Sequence, residues 1–178
     1  MCSQCEHLQM GNKNMNDYTT TFASIDNYKK GGIQLLDDDA KRYVFSNIYD
    51  VAANAKDYQR TVVAKNLDYT VEAIRASGDS GWYICPHDEF VVAMDYDVEV
   101  HYKKVPSSVY PDEEKDGSVV LSATEGDYMG KVTLKRGHMA LLPENTAYSF
   151  KAAKPSTLML QSILGELSEQ HWADICEK

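Results

Sequence analysis

The run Cys85-Pro86-His87-Asp88-Glu89 gathers a thiol, an imidazole and two carboxylates within five residues. An imidazole beside a carboxylate is raw material for acid/base catalysis and for metal binding alike. His87, Glu89 and Cys85 are therefore candidate ligands of an atypical metal site. They fall short of the 2-His-1-carboxylate set that holds Fe(II). The plainer reading is a turn into a strand, with His87 and Asp88 making local hydrogen bonds. Cys2 and Cys5 form a CxxC with His7 just beyond, which could begin a zinc site. A structural zinc site takes four ligands, and no second CxxC or HxxxH follows. The four cysteines, at 2, 5, 85 and 176, are too sparse for a disulfide framework, so reduced thiols are expected. His101 shares a strand face with Asp97 and Glu99 and reads as a solvated edge or a partner contact. His138 follows Gly137 at a turn, and His171 lies on the predicted closing helix; neither has a partner visible in the sequence.

The elements that position these residues are strands. From position 59 the chain alternates β-prone runs with turn residues: RTVVAKN, YTVEAIR, EFVVAM, DVEVHYK, GKVTLK, HMALL, AYSFKA and TLMLQSIL. Runs at this spacing without helices between them predict an antiparallel sandwich or barrel. Val98, Val100 and Tyr102 alternate with Asp97, Glu99, His101 and Lys103, so one face of that strand is wet. EFVVAM is continuously apolar, which predicts a strand covered on both sides. Met94, Met139 and Met159 sit within strand runs and read as core filling.

Phe45, Ile48, Val51 and Ala52 recur at helical spacing and predict one short helix before the strands. Residues 1–40, rich in Asn, Asp, Lys and Tyr, read as an arm. Residues 41–178 form one domain, with an insertion at 104–130 that holds Pro106, Pro111, the DEEK run and a short strand, SVVLS. The closing SEQHWADICEK predicts a short helix capped by Ser168 that buries Trp172 and Ile175.

With 178 residues and 43% hydrophobic content, one well-cored domain is expected. The formal charge of −9, from 27 acidic and 18 basic residues, disfavours nucleic acid and anionic lipid as partners. No window approaches the ~18 apolar residues of a spanning helix, and MCSQCEHLQM lacks the pattern of a signal peptide; a cytoplasmic location is expected.

Two segments resemble the signature stretches of the cupin family. In GWYICPHDEFVVAMDYDVEV, anchoring on Glu89 puts Tyr83 and Cys85 at the two His positions of that family and Tyr96 at its Gly. In RGHMALLPENTAYSF, Gly137 and Pro143 match, but Tyr148 stands where the metal-binding His belongs. The resemblance implies an all-β, cupin-like antiparallel barrel (a jelly roll) with a few short helices and degenerate metal positions at Tyr83, Cys85, Glu89 and Tyr148. Neutral phenols are poor Fe(II) ligands. A Tyr148–Glu89 hydrogen bond is expected to fill the space left by the metal, as a polar plug; a metal-free pocket for a hydroxylated ring is the alternative.

Three stretches, WYICPHDEFVVAMDYDVEVHYKK, MGKVTLKRGHMALLPENTAYSF and LQSILGELSEQHWADIC, further resemble the small (alpha) subunit of two-component hydroquinone dioxygenases. That resemblance implies a chain with no catalytic, cofactor-binding or metal residues of its own, inactive alone. Its implied partner is a larger cupin-like subunit that carries Fe(II), in an α2β2 assembly acting on a phenolic substrate. The implied reaction opens hydroquinone, or a substituted hydroquinone, with O2 to a 4-hydroxymuconic semialdehyde. The arm and the 104–130 insertion are the candidate interface. Two other functions stay open: a free-standing, metal-free cupin that binds a small ligand, and an enzyme with the atypical His87, Glu89 and Cys85 site.

Overall fold

A computed structural model describes residues 47–112, 114–122 and 126–171. Asn47 opens the only α-helix among them, α1 (Ile48–Asn54), by accepting a hydrogen bond from the Tyr49 amide at 3.0 Å. Ten strands follow: β1 (Arg60–Asn66), β2 (Tyr69–Asp79), β3 (Trp82–Ile84), β4 (Glu89–Ala93), β5 (Val98–Lys104), β6 (Val119–Leu121), β7 (Asp127–Leu134), β8 (Met139–Leu142), β9 (Thr146–Ile163) and β10 (Ser168–Glu169). The expected all-β architecture is observed.

One long strand organises the sheet. The first part of β9 pairs β5 through Thr146–Lys151 and meets β3 at Tyr148; its second part pairs β4 through Leu158–Gln161. β2 runs antiparallel along most of its length. AYSFKA and TLMLQSIL are thus one strand, interrupted by a register shift between Ala76 and Gly78 of β2, opposite Pro155. A bulge tolerates proline because no ladder hydrogen bond is required of it there. β1 and β10 extend the sheet beyond β2, β7 flanks β5, and β8 flanks β4. The sheet curls around Ile74, Val91, Val98, Val100, Leu134, Leu142, Phe150, Leu158 and Leu160, all essentially buried.

Four expectations change on folding. EFVVAM is not covered on both sides: Glu89, Val91 and Ala93 are buried, while Phe90 is exposed and Val92 half-buried. The apolar run reflects an apolar outer face. Met139, opposite Val92 on β8, is 62% exposed and fills no core. Ser168 caps no helix; it lies on β10, which pairs β1 in parallel, because its hydroxyl is drawn to a buried carboxylate. His101 is not at an edge, since β5 lies between β7 and β9. Its ring sits 3.0 Å from Glu99 and 3.1 Å from the Tyr128 hydroxyl.

The 104–130 stretch contains a 3-10 turn at Ser107–Val109, then β6, which folds back onto β3, and the start of β7. The proposed arm at 1–40, Cys2, Cys5, His7, Phe45, Trp172, Ile175 and Cys176 lie outside the described residues. No helix among the described residues is long and apolar enough to cross a membrane.

Candidate functional site

Inward positions of the strands converge on a buried polar cluster. Glu89, the first residue of β4, is fully buried. Its Oε1 accepts from the Ser118 and Ser162 hydroxyls at 2.6 Å each, and its Oε2 accepts from the Tyr148 hydroxyl at 2.5 Å. The Tyr148–Glu89 hydrogen bond expected from the degenerate motif is therefore present. β9 links the two partners: its first part carries Tyr148, opposite Tyr83 of β3, and its second part pairs β4, which carries Glu89.

Arg60 stands among them, and sequence reasoning missed it. It begins β1, is 3% exposed, and reaches inward to Glu89, Ser118, Tyr148 and Tyr83. Its Nη2 donates to the Tyr148 hydroxyl at 2.9 Å. Its Nη1 donates to Ser118 and lies 3.5 Å from Glu89 Oε1. Its Cζ lies 4.7 Å from the centre of the Tyr83 ring, a cation–π approach. Tyr148, Tyr83 and Phe150 pack as a mutually tilted trio with centroids 5.5–6.4 Å apart.

The electrostatics follow from burial and the guanidinium. Burial works against the charge of Arg60, yet Tyr148, Glu89 and Glu72 around it hold its pKa above the ordinary value. Tyr148 is pushed well above the phenol range, first by burial and then by Glu89, with Arg60 opposing. It remains a neutral donor. Burial, followed by Glu89, pushes the Cys85 thiol up to about 12, so it is not a thiolate at neutral pH.

A second buried carboxyl lies next to this cluster. Glu72, on β2, accepts from Ser168 at 2.5 Å and Thr70 at 3.3 Å through Oε1, while its buried Oε2 has no hydrogen-bond partner among the described residues. Burial raises its pKa, and Arg60 offsets part of that. A signal for Glu72 existed: it falls in phase with Thr70 and Ile74, on the inward side of YTVEAIR.

The residues do not fit the metal that a cupin barrel implies. Two phenols and a neutral thiol replace imidazoles, and a cation already faces Glu89. Among the described residues no group of three or more His, Cys, Asp or Glu side chains is arranged to hold a metal ion, so His87, Glu89 and Cys85 form no such set. His87 Nδ1 lies 3.0 Å from the Asp88 carbonyl oxygen, and Asp88 Oδ1 accepts from the Glu144 amide at 2.9 Å. The His87 contact is local to its turn, as expected, whereas Asp88 instead ties that turn to the one before β9, 56 residues on. His138 Nδ1 likewise serves its own turn by accepting from the Lys135 amide, and His171 pairs with Glu169.

This is a cupin-like β-barrel with a filled centre. No family model matches the chain, and no curated protein matches it. Among solved structures it is similar to a chain of hydroquinone 1,2-dioxygenase from Sphingomonas sp. TTNP3 with 4-hydroxybenzoate bound. The identity is 47%, the TM-score 0.82, and the match covers 90% of this chain and 98% of that one. It is also similar to a chain of the hydroquinone 1,2-dioxygenase PnpCD in complex with Cd2+ and 4-hydroxybenzonitrile: 42% identity, TM-score 0.80, 92% of this chain and 99% of that one. The chain belongs to the hydroquinone 1,2-dioxygenase family, as one of its cupin-like subunits. A longer chain from PnpCD in complex with Fe3+ shares the fold alone, at 9% identity and TM-score 0.54, with 83% of this chain matching 41% of that one.

Proposed function

We propose that this chain is the non-iron-binding small subunit of a non-haem Fe(II) dioxygenase that opens the ring of hydroquinone or a substituted hydroquinone. Both atoms of O2 enter the product, a 4-hydroxymuconic semialdehyde. The iron belongs to a longer cupin-like partner, with two copies of each chain in the assembly. The observation that carries this reading is the near-complete match to one chain of hydroquinone 1,2-dioxygenase, combined with a barrel centre already occupied by Arg60. The phenolic molecules and metal ions named with the related enzymes support the substrate class and the need for iron.

This chain's own residues have a structural part in such an enzyme. The Arg60–Glu89–Tyr148 plug gives a rigid barrel that needs no cofactor, and a rigid subunit can wall a neighbouring active site from water. Phe90 and Leu141 pair across β4 and β8, with Met139 one step along, and all three are exposed on the outer face. An apolar row of this kind supports a subunit over a free-standing ligand carrier.

The test is co-expression with the longer chain of the same enzyme, followed by assay with hydroquinone, Fe(II) and O2 and metal analysis of each separated chain. Turnover by the pair alone, with iron on the longer chain, is the expected result. Stoichiometric iron on this chain, or ring opening by this chain alone, overturns the proposal.

A further inference from the structure

A buried carboxylate needs a counter-charge. In a barrel that binds metal the ion supplies it, and the ligands point at that ion from several strands. In this chain the positions that the cupin pattern assigns to ligands still converge on one point, and what stands there is a guanidinium. Tyr83 offers its ring face to Arg60 at 4.7 Å, Tyr148 accepts from Nη2 at 2.9 Å, and Glu89 Oε1 lies 3.5 Å from Nη1. Three of the four degenerate positions thus touch the same cation.

We propose that Arg60 is a built-in substitute for the metal ion of the fold: its side chain occupies the ion's place and supplies the positive charge that Glu89 requires. The planar fork suits the task. It reaches two acceptors, Ser118 and Tyr148, through separate nitrogens while its face lies on Tyr83, which the ammonium of a lysine could not do at once. Ser118 is delivered by a close crossing of two loops. Gly117, at φ +70°, passes so near Gly165 that a Cβ on Gly117 would meet the Gly165 Cα at 2.8 Å. The 104–130 segment therefore contributes a hydroxyl to the barrel centre. Charge repulsion at this buried centre then disfavours a divalent ion without any further device.

The inference deepens the proposed function, since it accounts for a subunit that leaves iron to its partner. Its test reads stability alone, so it can fail while ring cleavage by the pair succeeds, and the reverse. The full chain, co-expressed with the longer chain and then separated, is made as Arg60→Met, Glu89→Gln and the double variant. Each single variant strands one buried polar or charged group and is expected to lower Tm by about 10 °C. The double variant is expected to recover most of that loss, because neither charge remains. If the single variants are insoluble, recovery of soluble yield in the double variant is the readout. Losses that add in the double variant, a double variant no more soluble than the singles, or Arg60→Met as stable as the unmodified chain would each overturn the proposal. The last result would mean that Arg60 acts only as filling.

Discussion

Replacing Tyr148 by phenylalanine deletes one oxygen atom and leaves two partners short at once. The hydroxyl accepts from Arg60 Nη2 at 2.9 Å and donates to Glu89 Oε2 at 2.5 Å, and all three side chains are at most 3% exposed. A hydrogen bond to a charged group contributes about 1.5–3 kcal/mol, which sets a ceiling of about 6 kcal/mol for the pair. Glu89 keeps Ser118 and Ser162 on its other oxygen and has Arg60 at 3.5 Å, so part of the loss is recovered by the surviving contacts. The expected cost is about 3 kcal/mol. At about 2–4 °C per kcal/mol for a chain of this size, Tm should fall by about 6–12 °C. Ring packing against Tyr83 and Phe150 survives the change, so no large cavity enters the sum. Tyr83→Phe is the matched control. Tyr83 meets Arg60 through its ring face, which phenylalanine keeps, and its loss should stay below about 1 kcal/mol. Urea and thermal unfolding of the full chain measure both. A Tyr148→Phe loss below about 1 kcal/mol, or one equal to that of Tyr83→Phe, refutes the view that the hydroxyl bridges two charges.

Three further outcomes are expected. Burial raises the pKa of Glu72, so folding favours its neutral form. That contribution is full below about pH 4.3, the ordinary Glu value, and is lost as pH rises through the folded value. Relative to Glu72→Gln, the unmodified chain should lose stability as pH rises above about 4.3, and melts showing a constant difference across that rise would contradict this. Cys85, with its thiol pushed up to about 12 and its side chain buried, should resist alkylation at pH 8 until the chain unfolds; peptide-resolved mass spectrometry showing rapid labelling of Cys85 in the folded chain would count against the assignment. Gly117→Ala meets both a left-handed φ and a backbone clash, and should cost about 2–4 kcal/mol in urea unfolding. A loss under about 1 kcal/mol would mean the crossing with Gly165 yields easily and does not fix Ser118.

The strands were legible because alternation is local. RTVVAKN matches β1 residue for residue, and Val98, Val100 and Tyr102 face inward on β5 as their spacing predicts. Local pattern misleads where two environments share a composition. EFVVAM looks the same whether its second face meets a layer of protein or forms an apolar outer surface, and only the neighbours of β4 decide which. Met139 is exposed for the same reason.

At the barrel centre the division is sharper. The family could be read from the order of residues alone, through the three stretches around Glu89, Tyr148 and the segment after Leu160. That order also determined that Glu89 and Tyr148 would need each other, because a buried phenol and a buried carboxylate must find partners. The cation became visible only once the strands were paired. Arg60 lies 88 residues from Tyr148 and 58 from Ser118 along the chain, at the start of a run whose pattern says only that it is a strand. Which inward polar side chains meet is set by the register of β1, β2 and β9 and by the Gly117–Gly165 crossing, and register is a property of paired strands that no single run encodes.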